Sequence, residues 1–142
     1  MGQQKLNSDA AIDVVGRRTG IRVVIRDHSD FVMAIDVGYT PVVAEAVAIL
    51  NGLHFARDSG FGPVVVESDA LGVVSHVNTS TPICADVGLL IRDIKVFLND
   101  CCCLSVSHVP RTGNIVAHGL AKSALTLDED LFCSGWKSIL LV

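Results

Sequence analysis

The sequence predicts an α/β fold, a five-stranded mixed sheet with three antiparallel strands, then parallel ones, and helices on both faces. Three observations predict it. Half of the 142 residues are hydrophobic but only 5% are aromatic, so the core must be built from Val, Ile, Leu and Ala, as in a sheet covered by helices. The apolar period changes from two in the first third of the chain to helical spacing afterwards. Three consecutive valines, Val64 to Val66, suit a strand buried on both faces. A chain of this length fits one domain with a substantial core.

In chain order, residues 5–14 alternate and read as the first strand, and 16–20, Gly-Arg-Arg-Thr-Gly, as a turn. Residues 21–27 are short and β-branched, 27–30 are a polar turn, and 31–37 form a third strand, completing an antiparallel meander. Thr40-Pro41 then suits a helix start, Thr as N-cap and Pro in the first turn. Across residues 42–59, Val43, Ala46, Val47, Leu50 and Leu53 recur at helical spacing, and Gly60 and Gly62 stop the helix. Residues 63–67 are the valine strand and 70–78 a short helix. Residues 83–99 form a second long helix with Val87, Leu90, Ile91, Ile94 and Leu98 on one stripe. Residues 101–109 are a strand, 111–114 a loop and 114–125 a third long helix. The order βββαβα(α)βα puts a site at the strand ends where connectivity reverses, between the first and fourth strands.

The formal charge of −4 argues against strong non-specific adhesion to nucleic acid, though not against a local patch assisted by metal ions. The five cysteines include Cys101-Cys102-Cys103 and no C-x-x-C pair, which implies neither a disulfide framework nor a zinc site and favours a reducing compartment. No signal peptide and no membrane-length apolar run is read, and Leu6 breaks the myristoylation pattern that Met1-Gly2 would open. The expected location is intracellular, nuclear or cytoplasmic, without a membrane partner.

Asp9 is the anomaly of the first strand, because a carboxylate inside a strand costs several kcal/mol unless a cation, a metal or a helix terminus pairs with it. Glu45 in the first turns of the long helix and Asp69 at the end of the valine strand fall where the topology converges. Hard cations such as Mg²⁺ take carboxylate oxygens and water, and two ions roughly 4 Å apart can clamp the attacking water and leaving oxygen of a phosphodiester. Singly, each residue has a blander reading: Glu45 favours a helix dipole, Asp69 caps a helix, and Asp9 faces solvent.

Four stretches carry a resemblance: Lys5 to Ala10, Ala44-Glu45-Ala46 with Ala48, Val65 to Ala70, and His108-Val109-Pro110-Arg111 followed by Asn114 and Ala117 to Ala121. In this order, with matching element types, they resemble the type 1 ribonuclease H fold, and most closely the plant ribonuclease H-like domains related to reverse transcriptases of non-LTR retroelements. The resemblance implies one domain over residues 1–142, with its core at 5–125 and a C-terminal tail at 126–142. It implies hydrolysis of the RNA strand of RNA–DNA hybrids, leaving a 5′-phosphate and a 3′-hydroxyl, with two Mg²⁺ or Mn²⁺ ions. Asp9, Glu45 and Asp69 would hold metal, His118 would be a fourth ligand or outer-shell group, and His108 would assist proton transfer or departure of metal and product. Nucleic-acid contact would fall to Asn7, Arg17, Arg18, Arg111 and Asn114, with Lys122 a further basic residue, and Asn114 alternatively caps the following helix.

His118 stands where the family pattern has a fourth carboxylate, and similar plant domains often share this Ala-His pair. Imidazole removes one negative charge and suits Mn²⁺ better than Mg²⁺. Hydrolysis is therefore expected to be stronger with Mn²⁺ and to fade below pH ~6.5; equal rates with both metals across pH ~6 to 8 would count against that role. Ala10-Ala11 replaces a common Gly after Asp9, and residues 79–82 leave no room for the basic protrusion of some cellular relatives, as in retroviral versions. The second reading is a catalytically weak or inactive module of the same fold that binds nucleic acid or a protein partner. Its surplus of apolar residues would suit a homodimer surface or a larger parent protein.

Overall fold

A computed structural model describes residues 4–25, 29–35, 38–61, 63–80, 86–100, 103–115 and residue 119. Strands β1 (Gln4–Asp13), β2 (Arg18–Ile25) and β3 (Ser29–Ile35) form the meander, followed by α1 (Pro41–Asp58), β4 (Val64–Ser68), α2 (Leu71–Asn78), α3 (Asp86–Asp100) and β5 (Cys103–His108). The sheet has five strands in the order β3-β2-β1-β4-β5. β1, β2 and β3 pair antiparallel, whereas β4 pairs parallel with β1 and with β5.

The turn after β1 is tighter than the glycines at 16 and 20 suggest. Asp13 accepts hydrogen bonds at its Oδ1 from the backbone of Val15 and Gly16, Arg17 adopts a left-handed φ of 53°, and β2 starts at Arg18 rather than Ile21. A side chain on Gly16 would collide with the Asp13 carboxylate, which explains a glycine there. The tight turn sets the register Asp13↔Arg18, Ala10↔Ile21 and Leu6↔Ile25.

Thr40 caps α1 by accepting from the Val43 amide, with Pro41 opening the helix. Ala46, Ile49, Leu53 and Ala56 of α1 join Leu6, Val23 and Val66 of the sheet, Val73 and Val77 of α2, and Ile91, Ile94 and Phe97 of α3 in one core. The described parts of all three helices thus share that core. The helix packs tightly on the sheet at Gly52, where an added Cβ would lie 3.0 Å from both Leu6 Cδ2 and Val23 Cγ2. This contact fixes the height of α1 over β1 and β2, and with it the reach of Glu45 two turns earlier.

Arg111–Asn114 form a 3-10 turn rather than an irregular loop. The expected helix over 114–125, apart from residues 114, 115 and 119, and the tail at 126–142 lie outside the described residues. No described helix is long and apolar enough to cross a membrane.

Candidate metal centre

The site forms where two neighbouring strands part. β1 and β4 pair from Gln4↔Val64 to Ser8↔Ser68 and no further, so the next residue on each, Asp9 and Asp69, lies at the fork. β4 ends there, while β1 continues against β2 to Asp13. Glu45 reaches the fork from the second turn of α1, and ligand-capable oxygens of Asp9, Glu45 and Asp69 lie within 4.8 Å of one another.

Three carboxylates so close repel one another, and Asp9 is only 1% exposed. Burial, then the charges of Asp9 and Asp69, push the Glu45 carboxyl up to about 9, against a lowering by the Ala10 backbone amide. In the metal-free protein Glu45 therefore carries a proton at neutral pH and hydrogen-bonds to Asp9. Its Oε2 is nonetheless buried without a hydrogen-bond partner. An orphaned buried oxygen beside two further carboxylates is a donor set suited to a hard divalent cation. Glu45 lies past the first helical turn, where the dipole benefit has largely faded, so helix stability alone does not account for it.

Asp69 does not cap α2: the cap position is Ala70, with no side-chain capping bond. Its carboxylate turns to the 3-10 segment, where Arg111 Nε lies 3.4 Å from Oδ2 and Asn114 Nδ2 donates to Oδ1 at 3.3 Å. The Asn114 amide also donates to the Ser8 carbonyl at 3.0 Å. One buried side chain thus ties β1, Asp69 and the 3-10 turn together. An open cleft of about 230 Å³ is lined by Glu45 and Asp69 together with Pro41, Val42, Val73 and Arg111.

A family model described as reverse transcriptase-like matches residues 7–124, taking in all of these elements. The chain belongs to the reverse transcriptase-like family. A comparison with curated proteins gave no match. Among solved structures, this reverse transcriptase-like chain resembles ribonuclease H1 from the halophilic archaeon Halobacterium salinarum, with 24% identity over 88% of this chain and 98% of that one and a TM-score of 0.75. LC11 ribonuclease H1, solved in complex with an RNA/DNA hybrid, gives 20% identity over 87% and 97% and a TM-score of 0.76. The N-terminal ribonuclease H domain of a Mycobacterium tuberculosis protein, solved as a fusion with maltose-binding protein, gives 22% over 87% and 95% and a TM-score of 0.73. The fold is that of the type 1 ribonucleases H.

Not every expected residue of this reverse transcriptase-like domain meets the carboxylates. His108 is exposed at the end of β5, in register with Ser68 and so beside the fork. Arg17 and Arg18 sit at the β1–β2 turn, where Arg18 opposes Asp13, four residues beyond Asp9 and about 13 Å along the strand. Asn7 is 5% exposed and donates to Glu67 Oε2 at 3.1 Å, while Lys5 pairs with Glu67 Oε1 at 2.8 Å. The Asn7 amide is thus engaged inside the sheet, and Asn114, 1% exposed, is likewise enclosed. His118 and Lys122 lie outside the described residues.

The reverse transcriptase-like chain also holds a residue that sequence reasoning missed. Arg22, 6% exposed, is the cross-strand partner of Asp9. An arginine amid the β-branched run of β2 was a visible signal, but its partner depends on the turn. A loop joining residues 14 and 21 sets Asp9 opposite Arg26; the observed turn sets it opposite Arg22.

Proposed function

We propose that the protein is a metal-dependent endonuclease that hydrolyses the RNA strand of RNA–DNA hybrids. The observation that carries this reading is the convergence of Asp9, Glu45 and Asp69 within 4.8 Å at the fork of β1 and β4, on a fold shared with solved ribonucleases H. Asp9, Glu45 and Asp69 are the proposed holders of Mg²⁺ or Mn²⁺, joined by His118. Bound divalent ions supply an activated water and stabilise charge on the leaving oxygen.

The chain's own groups have the following proposed roles. Asp9, fixed in a strand that β2 continues to pair beyond the fork, orients the acidic cluster. Glu45 gives up its proton when the cluster takes a cation, since ligands bind deprotonated. Asn114 holds Asp69 in place. Arg111 is 72% exposed at its side chain and can move from Asp69 to a backbone phosphate, with a geometry that a guanidinium suits. His108 transfers a proton between the site and bulk water, which its exposed position supports. Cleavage restricted to RNA requires a contact to the 2′-hydroxyl, the group that distinguishes the two strands.

The second reading, a binding module without catalysis, draws on the cations already present. Arg111 pairs with Asp69 and Arg22 stands across from Asp9, so part of the cluster's charge is matched within the protein. Incubating a labelled hybrid with Mg²⁺ or Mn²⁺, beside Asp69→Asn, separates the two. Metal-dependent cleavage abolished by the substitution supports the nuclease. Binding without cleavage under either metal supports the module, and cleavage that survives the substitution belongs to a contaminant.

A further inference from the structure

The sheet register sets an arginine opposite Asp9 of the acidic cluster, and the proposed chemistry does not use it. Asp9 and Arg22 are directly opposed in an unbroken antiparallel register running from Leu6↔Ile25 to Asp13↔Arg18. Directly opposed residues share a sheet face, with Cβ atoms about 5 Å apart. The pairs on the opposite face, Leu6↔Ile25 and Ala10↔Ile21, enter the helix-covered cores, so Asp9 and Arg22 occupy the other face. The flanking pairs there, Asn7↔Val24 and Ala11↔Gly20, carry no charge. Both members of the central pair are nearly sealed from water, Asp9 at 1% and Arg22 at 6% exposure.

A buried guanidinium persists only where acceptors compensate its desolvation, and it keeps its charge at every accessible pH. We infer that Arg22 is a positioning residue: a built-in counter-cation that fixes the Asp9 carboxylate in the metal-free protein and limits how tightly the acidic cluster holds a divalent ion. The two effects have one cause. A fixed positive charge beside the cluster stabilises it when empty and repels the ion when filled. This inference rests on the proposed metal site, and its test keeps the two separable.

The experiment compares wild type, R22M and R22K by calorimetric Mn²⁺ titration and by melting in EDTA and in saturating Mn²⁺. R22M keeps a long side chain but removes the charge. Its Mn²⁺ dissociation constant is expected to fall by about tenfold or more, the scale of a unit charge removed from a poorly screened neighbour. It should melt lower than wild type in EDTA and gain more from Mn²⁺, whereas R22K stays close to wild type in both. An R22M affinity within about twofold of wild type, or an R22K change as large as that of R22M, overturns the inference while leaving the metal site standing. Absence of Mn²⁺ binding by wild type overturns both. Should R22M not fold in EDTA, D9N/R22M, which removes both charges, is expected to fold, and its failure would overturn the pairing.

Discussion

Asn114 and Asp69, 45 positions apart in sequence, are joined by one amide that donates to the Asp69 carboxylate at 3.3 Å. The same nitrogen reaches the Ser8 carbonyl at 3.0 Å, so the geometry of the acidic fork depends on a side chain that contributes no ligand atom. Asn114→Ala should destabilise the protein by about 1–3 kcal/mol, because it orphans acceptors in a buried site. It should also weaken Mn²⁺ binding. Urea unfolding and metal titration on one preparation check both; a loss of stability with unchanged affinity would limit Asn114 to a structural role.

Glu45 sets the pH behaviour of the metal-free protein. Its folded-state value near 9 lies above the ordinary carboxyl value of 4.5, so between these the folded state holds a proton that the unfolded chain has released. Stability in EDTA should therefore fall as pH rises through that window, and Glu45→Gln should flatten the slope. Metal binding near pH 7 should release close to one proton. Calorimetry in buffers of different ionisation enthalpy counts it, and no release would show that Glu45 stays protonated and outside the coordination shell.

Arg111 is expected to matter for substrate and little for folding. Its contact with Asp69 is long and its side chain 72% exposed, so Arg111→Ala should change stability by less than about 1 kcal/mol. If it exchanges Asp69 for a phosphate, hybrid affinity should drop and the slope of log affinity against log salt should shrink by about one charge. An unchanged salt slope would leave Arg111 as a partner of Asp69 alone.

Gly52→Ala probes the tight packing of α1 on the sheet. The added methyl meets the Leu6 and Val23 side chains at 3.0 Å, so they or the helix must shift by a few tenths of an ångström, at an expected cost of about 1–3 kcal/mol. Because Glu45 is carried on that helix, Mn²⁺ affinity should fall as well, although residue 52 contributes no ligand. Wild-type melting and affinity in this variant would mean that α1 is less firmly seated than the contact implies.

The features legible in the sequence were those fixed by neighbours along the chain. Thr40 and Pro41 start α1 where their local chemistry predicts, and the valines of β4 mark a central strand in any context. Asp9 and Asp69 could be placed together because the topology puts β1 beside β4 and both carboxylates near strand ends. Arg22 could not be matched to Asp9, because its partner is set by how tightly the β1–β2 turn closes, and that depends on the Asp13 carboxylate gathering the amides of Val15 and Gly16. The resemblance assigns Asn7 and Asn114 to nucleic-acid contact, with a helix cap as the alternative for Asn114, and their enclosure was not legible because burial is a property of what packs over a residue. Both amides are engaged within the protein.

The fork between β1 and β4 also makes the two aspartates mechanically unequal. Asp9 sits in mid-strand with β2 continuing beside it, while Asp69 follows the last residue of β4 and is steadied by side chains from a short turn. Cations of different radius demand different oxygen distances, about 2.0–2.1 Å for Mg²⁺ and 2.3–2.6 Å for Ca²⁺. In the proposed metal site that adjustment would fall to the Asp69 side of the fork, with Asp9 as the fixed jaw against which ion size would be gauged.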